Sequence, residues 1–249
     1  MSKTILMPLP DRDFDVTETA VPWRLLTEAG HRVVFLTESG TAAPEADPLL
    51  LTGVLFGKLG AEPEPKEFYA EMTASEDFQH PLPWAQVEFS DYDALLLAGG
   101  HAQGMKQYLG SEVLHAKVAS FWKTDKPVAA ICHGVLVLAR SLDPDTNNSV
   151  LNGVKTTCLP RYMEGLAYLS TFWKLGNYYR TYPAYVQAEV QAALGSPDDF
   201  VRGPIHLDAR GTRDDDGPAF VVEDGRYVSA RWPGDAYLFA KKLLKRLED

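Results

Sequence analysis

The sequence predicts an α/β fold, a mostly parallel sheet flanked by helices on both faces, from three observations. Apolar, strand-like runs alternate with segments of helical periodicity along the chain, as in sheets whose parallel strands are joined by crossover helices. Two of those runs, Leu95-Leu96-Leu97-Ala98-Gly99-Gly100 and Val128-Ala129-Ala130-Ile131-Cys132-His133-Gly134, end in glycine-bearing turns. The chain has 249 residues, 45% hydrophobic and 23% charged, enough for one domain with a large core. A single domain over residues 1–249 is expected, without internal repeats or low-complexity linkers.

The elements follow in order. Thr4 to Leu9 reads as the first strand, and a polar stretch follows from Asp11 to Thr17. A helix is expected from Glu18 to Ala29, stopped by Gly30. His31–Thr37 reads as the second strand, and Ala94–Ala98 and Pro127–Ile131 as later ones, with a helix over Val113–Lys123 between them. Val154–Cys158 has strand character and is expected beside the Pro127–Ile131 strand. Phe220–Val222 and Tyr227–Ala230, split by Glu223-Asp224-Gly225-Arg226, form a hairpin-like pair. Asp235–Leu247 closes the chain as an amphipathic helix with Leu238, Phe239, Leu243 and Leu244 on one side. Two insertions, residues 47–90 and 160–194, add helical segments around Leu49–Phe56, Glu67–Met72 and Pro160–Leu169, and an aromatic cluster from Phe172 to Tyr185. Rings in such a cluster are expected mainly to pack, since each buries a large area.

Composition narrows the function. A net charge of −10 disfavours nucleic acid and anionic membrane surfaces as partners. No apolar run approaches the roughly 20 residues that span a bilayer. The first residues turn acidic too soon for a signal peptide, and Cys132 and Cys158 make no disulfide framework. A cytoplasmic protein is expected.

The chemistry concentrates at Cys132. A strand that breaks at this residue into a helix opened by Gly134 has the layout of a nucleophile elbow, which lifts one side chain above the sheet. A thiol placed there sits at a helix N-terminus, which favours thiolate. A buried core cysteine is the plainer alternative. The glycine pair Gly99-Gly100 lies about one βαβ step upstream, so both strand ends open on one sheet edge, where exposed amides could approach a ligand.

Ala98-Gly99-Gly100 followed by Ala130-Ile131-Cys132-His133-Gly134 resembles the DJ-one/PfpI (ThiJ) superfamily, relatives of the class I glutamine amidotransferases with a flavodoxin-like fold. The insertions resemble its larger, heat-shock-chaperone-like branch, where extra helices cover the site. The resemblance implies Cys132 as nucleophile with His133 beside it, and a first-turn glutamate, matched by Glu18, pointing at the sulfur. It also implies a downstream acid orienting the histidine. Glu164 is the candidate, with Asp208 of His206-Leu207-Asp208 competing and Asp214, Asp215 and Asp216 read as a solvated turn. Without this company Glu18 would read as a first-turn acid complementing the helix dipole.

Two anions a few ångströms apart cannot both stay ionised cheaply, so Glu18 is expected to hold a proton while Cys132 is a thiolate. The amides of Gly99, Gly100 and His133 would form the oxyanion hole. The resemblance implies glutathione-independent conversion of 2-oxoaldehydes such as methylglyoxal to 2-hydroxy acids (glyoxalase III), or a related deglycase activity. No cofactor or metal is expected, since His31, His80, His101, His115 and His206 show no paired metal-ligand spacing. A homodimer is implied. A cysteine amidase or peptidase, and a stress chaperone or sensor using an oxidisable Cys132, are the alternatives.

Overall fold

The computed structural model describes residues 1–54, 59–205 and 209–248. Strands β1 (Thr4–Pro8), β2 (Arg12–Phe14), β3 (Arg32–Thr37), β4 (Glu45–Ala46), β5 (Leu82–Pro83), β6 (Ala94–Leu97), β7 (Val128–Ile131), β8 (Val221–Asp224) and β9 (Tyr227–Ala230) form two sheets. The main one has the order β5-β3-β1-β6-β7-β9-β8, parallel throughout except for the β8–β9 pair at its edge. Ile5, Leu6, Leu95–Leu97 and Val128–Ile131 are wholly buried, as expected of central parallel strands covered on both faces. β2, inside the Asp11–Thr17 stretch read as polar, pairs with β4 in a small parallel ribbon.

The principal helices are α1 (Val16–Glu28), α2 (Pro48–Thr52), α3 (Pro63–Thr73), α4 (Glu76–Gln79), α5 (Met105–Leu109), α6 (Glu112–Trp122), α7 (Val135–Arg140), α8 (Arg161–Leu175), α9 (Val186–Ala193) and α10 (Ala236–Glu248). α1 packs with α3 and α10, whereas α7 packs with α6 and α9. Among the described residues no helix is long and apolar enough to cross a membrane.

Two expectations change. α1 begins at Val16, because the Asp15 side chain caps it by accepting from the amides of Thr17 (2.8 Å) and Glu18 (3.0 Å). Glu18 therefore lies inside the first turn. Val154–Cys158 is not the strand beside β7; that place belongs to β9, in register from Val128↔Tyr227 to Ile131↔Ala230. The segment instead makes an isolated bridge, Thr156↔Phe200, and lies against β9 through Thr156 Oγ1–Tyr227 Oη (2.9 Å) and a Thr157 amide donating to Ser229 Oγ (3.0 Å). The competing acid Asp208, with His206 and Leu207, lies outside the described residues, as does Leu55-Phe56 of the first insertion.

Candidate active site

The site stands at the C-terminal edge of the sheet, where β6 and β7 end side by side (Leu97↔Ala130) and α1 starts. Cys132 follows β7 directly and has φ 59°, the left-handed region that a β-carbon disfavours. A conformation of this kind costs a non-glycine residue about 1–3 kcal/mol and marks the sharp turn of an elbow. Gly134 makes the turn possible: a β-carbon there would lie 2.3 Å from the Leu97 carbonyl oxygen.

Gly99 is the point at which three elements converge. A β-carbon on it would lie 2.6 Å from Glu18 Oε2, 2.8 Å from the His133 amide nitrogen and 2.9 Å from Cys132 Cβ. The Gly99 amide donates to Glu18 Oε2 (3.0 Å), and the Gly99 carbonyl accepts from the Asp15 amide (2.8 Å). These two bonds tie the start of α1 to the end of β6 and aim the Glu18 carboxyl at the elbow. The other oxygen, Oε1, has no partner of normal hydrogen-bond geometry among the described residues, although the carboxyl and the Cys132 thiol interact. Since the Gly99 amide is committed to Glu18, it is not free in this arrangement to serve as an oxyanion donor.

Burial sets the charge state. Desolvation, reinforced by Asp15, pushes the Glu18 carboxyl well above the usual range. Desolvation and then the Glu18 and Asp15 carboxyls push the Cys132 thiol up, outweighing the His133 amide directed at the sulfur. The resting group is a thiol, a correction to the thiolate expected from the helix terminus. Desolvation, with His101 and Arg140 nearby, drives His133 well below its usual value, and burial brings His101 to about 4. Both imidazoles are neutral at pH 7. His133 Nδ1 lies 3.5 Å from Cys132 Sγ, so the sulfur has a neutral base beside it.

Glu164 is placed differently from expectation. It is buried near the start of α8, where Oε2 accepts from the Val186 amide at the start of α9 (3.0 Å) and Oε1 lies 3.6 Å from the Arg180 guanidinium. The charge it perturbs is the Cys158 thiol, and His133 is not among its partners. The ring against His133 is instead His101, edge-on with centroids 4.9 Å apart, and Tyr179 packs edge-on to the far side of His101 at 5.6 Å. Sequence spacing assigns His101 no role; its only signal is its place directly after the glycine pair.

A cavity of about 180 Å³ opens beside this cluster. Asp15, Thr17 and His101 form its inner side, with apolar walls from Leu50, Met163 and Trp232. Both insertions contribute to these walls, so helical cover over the site is present as expected. The aromatic cluster divides: Tyr179 lines the cavity and Tyr178 donates to Asp47 Oδ1 (2.8 Å), whereas Phe172 and Trp173 are exposed. Cys132 itself is fully buried; the cavity is lined by His101, whose donor nitrogen lies within 4.8 Å of the Cys132 sulfur.

Residues 9–204 match the family described as ThiJ/PfpI family-like. An uncharacterized protein of Schizosaccharomyces pombe is 30% identical over 242 residues, spanning 94% of this chain and 80% of that protein. A deglycase of Pyrococcus abyssi is 25% identical over 236 residues and 94% of each chain. Among solved structures, a glyoxalase III from Candida albicans shares the fold with a TM-score of 0.69 at 20% identity, over 98% of this chain and 97% of that one.

Proposed function

The chain belongs to the ThiJ/PfpI-like family, and from that premise we propose that it is a cysteine-dependent enzyme acting on 2-oxoaldehydes, converting substrates such as methylglyoxal to 2-hydroxy acids without glutathione, or removing the adducts such aldehydes form. The reading rests on one observation above all: the Glu18 carboxyl, protonated by burial, and the Cys132 side chain converge on Gly99, with the neutral His133 imidazole 3.5 Å from the thiol. The similarity to a deglycase supports it.

The resting protonation states give each group a role. His133 Nδ1 takes the thiol proton as Sγ adds to the aldehyde carbon, and returns it to the carbonyl oxygen, leaving a hemithioacetal. His133 next takes the hydrogen from that carbon as a proton while Glu18 gives its own to the neighbouring ketone oxygen, making an enediol. His133 delivers its proton to the second carbon, and Glu18 recovers one from the first hydroxyl. The product is a 2-hydroxyacyl thioester, which water cleaves to the hydroxy acid and free thiol. Every step conserves atoms and electrons, and the cycle starts and ends with neutral groups, passing through only a paired His133 imidazolium and Glu18 carboxylate, which suits a site too buried to hold isolated charge cheaply.

The test is lactate formation from methylglyoxal with no glutathione present, run beside chromogenic peptide and amide substrates. Turnover of methylglyoxal supports the reading. Hydrolysis of peptides or amides with no lactate would replace it with an amidase.

A further inference from the structure

We propose that His101, Cys132 and His133 form a binding site for a divalent cation of the zinc class, with the thiolate and two imidazoles as ligands. The donor atoms of these three side chains lie within 4.8 Å of one another, an assembly that the sequence spacing does not announce because His101 arrives from the end of β6 and the other two from the elbow. Zinc prefers sulfur and imidazole nitrogen donors in a tetrahedron, at about 2.3 Å and 2.0 Å, which puts a bound sulfur and nitrogen about 3.5 Å apart. Cys132 Sγ and His133 Nδ1 already stand at 3.5 Å. His101 meets His133 edge-on with ring centroids 4.9 Å apart, which brings its donor nitrogen within 4.8 Å of the other two.

The site has the ligand count of one that keeps a position open. Three protein donors leave room for water or another small ligand, and the cavity bordered by His101 is where that fourth ligand would enter. Binding balances simply: the cation displaces the thiol proton, which leaves to solvent, and no oxidation change occurs. The sulfur then cannot add to a carbonyl, so the metal and an aldehyde exclude each other. The inference goes beyond the proposed aldehyde chemistry and does not depend on it, since metal binding is read without substrate.

The experiment is calorimetric titration of the full chain, stripped by dialysis against a chelator, with Zn2+ alone in two buffers of different ionisation enthalpy. One zinc per chain and release of one proton are expected. His101→Gln and Cys132→Ser should each weaken binding at least about a hundredfold, since loss of groups merely supporting a metal ligand already costs about 10–100-fold. Cys158→Ser, at the other buried thiol, should leave the affinity unchanged. Failure to saturate, or an affinity that ignores either His101→Gln or Cys132→Ser, would overturn the site. Should those variants not fold, Cd2+ added to the unaltered chain decides the matter. A single-thiolate charge-transfer band, with Cys132 protected from iodoacetamide until chelator is added, supports the proposal; absence of the band or of protection refutes it.

Discussion

Glu18 illustrates how much one residue's meaning depends on its surroundings. If it served only to complement the α1 dipole, Glu18→Gln would cost well under about 1 kcal/mol and spare activity. As a proton-transfer group it cannot be replaced by glutamine, which keeps the shape but exchanges no proton, so turnover of methylglyoxal should collapse while the melting temperature changes little. The same variant removes one of the two carboxyls that lift the Cys132 thiol, so the pH profile of its alkylation should move to lower pH; an unmoved profile would contradict the coupling. Gly99→Ala tests the convergence itself. Its β-carbon would stand 2.6 Å from Glu18 Oε2, and overpacking of this kind costs about 1–3 kcal/mol. A measurable loss in melting temperature together with lost activity is expected, and a Gly99→Ala protein with unchanged stability and rate would refute it. At this scale Glu18, Gly99, Cys132 and His133 were legible because strand ends, glycines and a reactive side chain leave local marks. Asp15 and His101 were not, since burial against a distant element has no local signature. The role expected of Glu164 fails for the same reason: its partners, Arg180 and the Val186 amide, become neighbours only when α8 and α9 pack.

Among elements, α1 does most to build the site. Asp15 caps it, and Pro22 has no N–H to donate to the Glu18 carbonyl one turn back, which loosens the helix just beyond the functional turn. The cap is also a source of pH dependence. Burial raises Asp15 from 3.8 to about 6, so the native state binds the proton more tightly than the unfolded chain. Stability linked to this group is full below about pH 4 and is lost as pH rises through about 6, a difference of about 3 kcal/mol by neutral pH. Asparagine caps as well as aspartate and carries no charge. Asp15→Asn should therefore unfold at higher denaturant than the unaltered chain at pH 7.5, with the advantage shrinking towards pH 4; equal midpoints at pH 7.5 would show that the buried charge carries no such cost. The end of β9 carries a second buried charge. Arg231 and Asp235 form an ion pair with both side chains fully buried, Nε to Oδ2 at 2.9 Å. Removing the cation leaves an unpaired buried carboxylate, so Arg231→Met should destabilise by about 3–5 kcal/mol in denaturant titration. A loss below about 1 kcal/mol would mean the carboxylate finds another partner. The hairpin that ends at Ala230 was readable from its turn residues, whereas the position of Val154–Cys158 was not: strand propensity reports fitness for a pleated, half-buried surface, without saying which strand sits next to which.

On the scale of the whole molecule, the fold class was the most legible property, because alternation of apolar runs and amphipathic segments is written along the entire chain. The two insertions were visible as surplus helix, but their joint effect was not. Leu50 from one and Met163 from the other face a common cavity whose inner side is Asp15, Thr17 and His101, a meeting across more than a hundred residues that only the folded sheet brings about. Such cover would limit water around the proposed reaction, with its enediol and thioester, and burial favours the neutral forms of Glu18, Cys132 and His133. In the proposed reaction Glu18 and His133 move protons, and only the Cys132 sulfur forms the covalent intermediate. The most direct measurement is the initial rate of glutathione-independent lactate formation from methylglyoxal by the unaltered chain and by Cys132→Ala, with thermal melting of both. A rate lower by several orders of magnitude with the fold retained is expected, as for loss of a covalent nucleophile. A folded Cys132→Ala protein keeping more than about a tenth of the rate, a difference of only ~1.4 kcal/mol, would contradict covalent catalysis at this sulfur.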